Sequence, residues 1–159
     1  MSLDRDAFRS VLGRFASGIT VVTTCAPDGR DHGMTVSAFC SVSLTPPLVL
    51  ICVAKNADMH QVLQSVTHFT VNILAAHQEA LSRRFADLDA EERFEGVGFR
   101  RGKFGAPVLH DILAYVECQI TARYDAGDHG VVVGEVHHAA AREDSPLLYY
   151  RGGYARLER

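Results

Sequence analysis

The chain has 159 residues, 47% hydrophobic and 22% charged, with a formal net charge of −3. Such a composition excludes general disorder. The length suits a single domain, 1–159, that buries about 70% of its unfolded surface without disulfide or metal staples. No Lys/Arg-rich run occurs, so the footprint of a nucleic-acid binder is missing, and the longest apolar runs, such as 48–54, are far shorter than the roughly 20 residues of a membrane span.

The opening residues, Met1 to Asp6, are polar and charged with no apolar signal-peptide core, so a cytoplasmic protein is expected. Ala7, Phe8, Val11, Leu12, Phe15 and Ala16 then recur at helical spacing, with Asp4 or Ser2 as cap and Gly18 as stop. Ile19 to Cys25 reads as a strand, Ala26-Pro27-Asp28-Gly29 as a turn, and Arg30 to Phe39 as the returning strand of a hairpin. Leu48 to Val53 is a continuous apolar run, expected to be a strand buried on both faces. Asp58 with Gln61 resembles a capping box opening a helix through Leu63. Phe69 to Leu74 is a further strand, Gln78 to Phe85 a further helix, and Asp87 to Leu109 a long Gly- and charge-rich connection.

The clearest strand is Ala114 to Tyr124, in which Val116, Cys118, Ile120, Ala122 and Tyr124 alternate with polar residues. A turn at Ala126–Gly130 leads to its partner, Val131 to Ala140. Strands in hairpin pairs disfavour a doubly wound parallel sheet and favour an antiparallel barrel with a few peripheral helices.

The four cysteines, Cys25, Cys40, Cys52 and Cys118, show no C-x-x-C spacing and read as reduced thiols, with Cys52 and Cys118 inside apolar strands. Gly96 to Gly102 misses the dinucleotide fingerprint, because its third glycine is one place late and no strand precedes it. His137 and His138 are adjacent on a strand and so point to opposite faces, and no metal site is expected. Two stretches have a more chemical character. Gly33 to Leu44 collects hydroxyls and small residues at a strand end, where hydroxyls and turn N–H groups can hold a phosphate. Gly127-Asp128-His129-Gly130 links two strong strands, and a plain turn there accounts for Gly127 and Asp128 without requiring His129.

Phe15 to Thr24, His32 to Phe39, Ser41 to Leu50, Phe69 to Leu74, Gln78-Glu79, Arg84 to Ala86, Gly105 to Leu109, Gly127 to His129 and Tyr149 to Tyr154 follow one another in an order that resembles a known family. The chain is similar to flavin reductase-like proteins with the FMN-binding split-barrel fold, and most to the small reductase components of two-component flavin-dependent monooxygenases. The resemblance implies a mainly β, six-stranded antiparallel Greek-key split barrel with peripheral α-helices. It also implies a homodimer holding FMN or FAD near the subunit interface, and NADH or NADPH as electron donor. Its product would be reduced flavin for a separate monooxygenase. Thr35, Val36, Ser37 and Ala38 would meet the isoalloxazine ring. Ser41, Val42 and Ser43 would hold the ribityl chain and phosphate, and Cys52, Val53, Ala54, Asn56 and Ala57 would line the other side. Arg84, Phe85 and Ala86 would close the tail end. His129 would be the catalytic residue facing the nicotinamide, with Tyr150, Arg151, Gly152 and Tyr154 nearby. Many relatives carry a second serine where this chain has Ala38 and a hydroxyl residue near Ala57. The alternatives are a non-enzymatic flavin or haem carrier and a pyridoxamine-phosphate-oxidase-type enzyme, from which Gly127-Asp128-His129 separates a reductase.

Overall fold

Asp4 caps the first helix: its carboxylate accepts the Ala7 N–H at 3.2 Å, and α1 spans Arg5–Leu12. A computed structural model describes residues 2–158 of the chain. The helix ends at Gly13, not Gly18, because the N–H groups of Arg14 and Phe15 bond to Val11 and Leu12 in tightened i→i−3 fashion.

The strands that follow are β1 (Ser17–Gly18), β2 (Thr20–Cys25), β3 (Asp31–Val36), β4 (Phe39–Ser43) and β5 (Leu48–Ala54). After α2 (Asp58–Ser65) come β6 (His68–Ile73) and α3 (Glu79–Asp87). The long connection holds a short 3₁₀ turn, Ala90–Glu92, and the hairpin β7 (Phe99–Arg101) and β8 (Pro107–Leu109). The chain closes with β9 (Ala114–Ala126), β10 (His129–Ala141), β11 (Leu147–Tyr150) and β12 (Gly153–Arg156).

The mainly β, antiparallel design with peripheral helices agrees with expectation. The principal sheet has seven strands in the order β3-β2-β6-β9-β10-β5-β4, not six, because the chain reverses at Ser37–Ala38 and Phe39–Ser43 pairs with β5 as a strand of its own. Strands β3 and β4, adjacent in sequence, therefore stand at opposite ends of the order. Val36 of β3 nevertheless shares one buried cluster with Val49, Ile51 and Val53 of β5, so the sheet curls around that cluster. A second cluster lies outside the curl, where Ile19, Val21 and Leu74 meet Phe85 of α3, Val108, Leu109, Ile112 and Leu147. Strand β2 lies between the two clusters, which is why Thr20–Thr24 are all buried.

Three local expectations change. Strand β5 is buried on alternate residues only, so one of its faces looks outward. Ala57, not Asp58, holds the cap position of α2, and no side chain bonds there. The connection 87–109 is pinned by buried polar groups: Glu117, 1% exposed, accepts the Phe104 N–H at 3.1 Å, and the Thr23 hydroxyl donates to Pro107 O.

Two register shifts in the β9–β10 ladder break the period-2 pattern of the sequence. Gly134 pairs with Ile120 while the adjacent Val133 pairs with Ala122, so the inward phase that holds Cys118 is reversed beyond Ile120. Tyr124, which the alternation grouped with Cys118, is 61% exposed. The other shift skips His137, and the rings of His137 and His138 both meet Phe104, at centroid distances of 5.6 and 5.1 Å, instead of leaving opposite faces.

Candidate functional site

Directly opposed residues of paired strands share a face. Cys40 opposes Leu50, Cys52 opposes Val131, Ala54 opposes His129, and beyond them His129 opposes Ala126 and Val131 opposes Tyr124. The opposite phase, with Ile51, Val53 and Val132, fills the inner core. Strands β4, β5, β10 and β9 thus share an outward face on which Cys52 and Ala54 of β5 form a bed of small side chains, with His129 beside Ala54 and with Leu50, Val131 and Tyr124 around them. A flat ring can lie over Cys52 and Ala54, where only a thiol and a methyl stand beneath it.

Of the residues expected to meet a flavin, Cys52 and Ala54 belong to this bed. Val36 and Val53 are core residues, 4% and 1% exposed, and offer a ligand only their main chain. Ser37 and Ala38 form the exposed crossing from β3 to β4, held by Phe39 N–H to Ser37 O and Cys52 N–H to Ala38 O at 3.0 Å. Asn56 is exposed and Ala57 half-buried at the start of α2. A further register shift separates Ser41, opposite Val49, from Ser43, opposite Leu48. Val49 and Leu48 are neighbours on β5, so the two hydroxyls leave opposite faces, and Ser43 shares the phase of the outward bed; Val42 lies at the shift and is 50% exposed.

The segment 84–86 divides as well. Phe85 is fully buried in the second cluster, with its ring 5.0 Å from that of Phe94, so it is a core residue. Arg84 donates to the carbonyls of Glu92, Arg93 and Glu95 and thereby fastens the loop after α3. Arg93 in turn donates to Gly33 O at 2.8 Å, tying that loop to β3. Ala86 is exposed.

His129 begins β10, just after Gly127, whose φ of 64° is the left-handed conformation the turn requires. Its Nδ1 lies 2.7 Å from the Asp128 carboxylate. The hydrogen bond to His129, and then the charge on that ring, hold the Asp128 carboxyl below the usual carboxylate range. The turn is anchored to the bed by Lys55, whose N–H donates to Asp128 O at 2.9 Å and whose ammonium pairs with Asp125.

Thr35 donates to Ser82 O at 2.7 Å, and the Ser82 hydroxyl lies 2.8 Å from the Tyr154 hydroxyl, so β3, α3 and β12 are bonded in series. The Arg83 guanidinium covers the Tyr154 ring at 4.7 Å. Tyr150, Arg151 and Gly152 are exposed at the β11–β12 turn, which the Arg151 N–H fastens to Gly13 O. Among the described residues no hydrogen bond or ring contact joins this turn to His129. Ser82, Lys55 and Arg93 were not singled out from the sequence; their partners lie 47, 73 and 60 residues away, and no local pattern marks them.

The thiols remain unpaired. Burial pushes Cys118 up to about 12, and burial together with Cys40 raises Cys52. Cys118 is fully buried as expected, whereas Cys52 is only half-buried because it faces the bed.

A curled antiparallel sheet with small outward side chains at Cys52 and Ala54, a hydroxyl-bearing strand end and a histidine at the edge of the same face defines a mainly β, antiparallel class of protein with room for a planar ring on its outer side. The chain belongs to the flavin reductase-like family, since the sequence profile of the flavin reductase like domain matches residues 12–158. It is 42% identical over 158 residues to a flavin reductase (NADH) of Kitasatospora aureofaciens, covering 97% of this chain and 82% of that protein. Against the FMN reductase (NADH) SmoA of Agrobacterium fabrum it is 44% identical, covering 96% and 86%. The solved structure of the Streptomyces globisporus NADH:FAD oxidoreductase SgcE6 in complex with NAD and FAD fragments superposes with a TM-score of 0.92 at 40% identity, covering 99% of this chain and 98% of that one.

Proposed function

We propose that this protein is an NAD(P)H:flavin oxidoreductase, one flavin reductase-like unit over residues 1–159, that passes a hydride from NADH or NADPH to FMN or FAD. The carrying observation is the outward bed of Cys52 and Ala54 with His129 beside it, held by Asp128 and anchored through Lys55. The bound flavin and nicotinamide supply the electron transfer themselves. The protein's part is geometric. Small side chains on β5 let two stacked rings approach to about 3–3.5 Å. Ser43 and the N–H groups near the β3–β4 crossing orient the flavin's polar tail. His129 positions the dinucleotide and need not move a proton.

The recipient of reduced flavin is a separate flavin-dependent monooxygenase. A relative supporting this is the reductase subunit HsaB of a flavin-dependent monooxygenase in Mycobacterium tuberculosis, 38% identical over 98% of this chain and 84% of its own length. The working form is a homodimer: Phe8, Val11, Leu12, Phe15, Val42 and Leu44 are all at least half exposed, an apolar surface that association would remove from water. Four unpaired cysteines fit a reducing, cytoplasmic setting. The test is direct: NADH absorbance should fall when free FMN or FAD is supplied to the purified protein. Binding of flavin with no NADH or NADPH oxidation would instead indicate a non-enzymatic carrier.

A further inference from the structure

The bulge at Ile120–Ala122 turns Tyr124 from the core to the outward face that carries His129. Tyr124 opposes Val131, the residue two places beyond His129 on β10, which makes Tyr124 and His129 diagonal neighbours across the ladder. The residue is 61% exposed. Tyr115, Tyr149 and Tyr154 each have a ring or guanidinium partner. Among the described residues, only Tyr124 and Tyr150 have neither such a partner nor a side-chain hydrogen bond, and of the two Tyr124 is the more exposed and lies on the face of His129. Bulges re-aim side chains next to functional sites at the expense of ladder hydrogen bonds, and this one leaves a large ring in water.

We infer that Tyr124 is a stacking platform for adenine, an inference that rests on the flavin reductase reading. Strand β10 lies between β5 and β9, so Tyr124 stands about 10 Å across the face from the Cys52–Ala54 bed, at about 4.8 Å per strand. That is too far to lie beneath rings stacked on the bed and within reach of the other end of a dinucleotide. Both NADH and FAD end in adenine, and the exposed phenol can stack on either. The dinucleotide donor is favoured because His129, the nearest chemical group on the face, is the residue read as holding it.

The experiment uses the full chain with FMN as acceptor, so that the only adenine present is the donor's. Tyr124→Ala should raise the KM for NADH about tenfold, given the strength of base–aromatic stacking, and Tyr124→Phe should restore it. Reduced nicotinamide mononucleotide, which lacks the adenosine, should show no comparable loss. Equilibrium dialysis of NAD⁺ without flavin should repeat the pattern independently of turnover. In a second arm, a rise in the FAD-to-FMN ratio of dissociation constants for Tyr124→Ala, without the NADH effect, would assign the platform to the flavin's adenine. Equal losses with both donors, no change in either arm, or dissociation of the oligomer in light scattering would overturn the inference. If the parent protein fails to oxidise NADH, the reductase reading falls, while the NAD⁺ dialysis and the FAD-to-FMN comparison still decide on adenine.

Discussion

Phe85 sits between residues read as flavin contacts, yet its ring is fully buried against Phe94 and Gly33, where an added Cβ on the glycine would come within 2.6 Å of it. Truncation to alanine removes a whole ring from a cluster that cannot collapse around the gap, a change that typically costs about 3–5 kcal/mol. Against a usual stability of about 5–15 kcal/mol that is a large fraction. At about 2–4 °C per kcal/mol for a chain of this size, Tm should fall by about 6–20 °C. Phe85→Leu keeps most of the volume and should lose no more than about 1.5 kcal/mol. Denaturant titrations of parent, Phe85→Ala and Phe85→Leu, each with unchanged slope, measure the stability term. Flavin titration of the Phe85→Leu protein measures the binding term, which should stay close to the parent value. A stability loss under about 0.5 kcal/mol for Phe85→Ala, accompanied by much weaker flavin binding in Phe85→Leu, would refute the core assignment and return the ring to the site.

Other substitutions probe the remaining elements. Ser43→Ala should weaken flavin binding roughly tenfold, the worth of one charge-assisted bond to phosphate, while Ser41→Ala, on the opposite face, should change it far less; equal effects would contradict the register shift. His129→Ala should raise the KM for NADH and leave the flavin dissociation constant nearly unaltered, and parent-like kinetics from pH 6 to about 8 would leave His129 with a turn role only. Gly134→Ala should destabilise by about 1–3 kcal/mol through overpacking, since its Cβ would lie 2.7 Å from Cys118 Cβ and 2.8 Å from the Phe69 ring; an unchanged denaturation midpoint would argue against that packing. Burial, followed by the charge of His137, lowers the pKa of His68 below its usual 6.5. The unfolded chain then takes up that proton first, so the His68 contribution is fully present above about pH 6.5 and is lost as pH falls through the lowered folded value. Thermal melts between pH 7.5 and about 5 should show a shallower acid decline for His68→Gln than for the parent.

The amino-acid sequence by itself determined what local chemistry can encode. A run rich in Val and Thr made β2 a strand, Asp4 capped α1, and the Pro27-Asp28-Gly29 turn joined the first hairpin, with Gly29 at a φ of 87°. The ordered motifs from Phe15 to Tyr154 carried the family likeness, and the hydroxyl-rich strand end and His129 turn were visible as candidate chemistry. The facing of particular side chains was decided only by the tertiary structure. A β-bulge is one residue out of register with a partner strand, so neither strand alone records it. Three such shifts turned Tyr124 outward, set Ser41 and Ser43 on opposite faces, and brought His137 and His138 to one ring. The division between Arg84 as a loop fastener and Phe85 as core, and the chain of bonds from Thr35 through Ser82 to Tyr154, join residues far apart in sequence. Such contacts exist only once the sheet has curled and α3 has packed against its outer side, because hydrogen bonds and buried rings are satisfied by neighbours in space and not by neighbours in the chain.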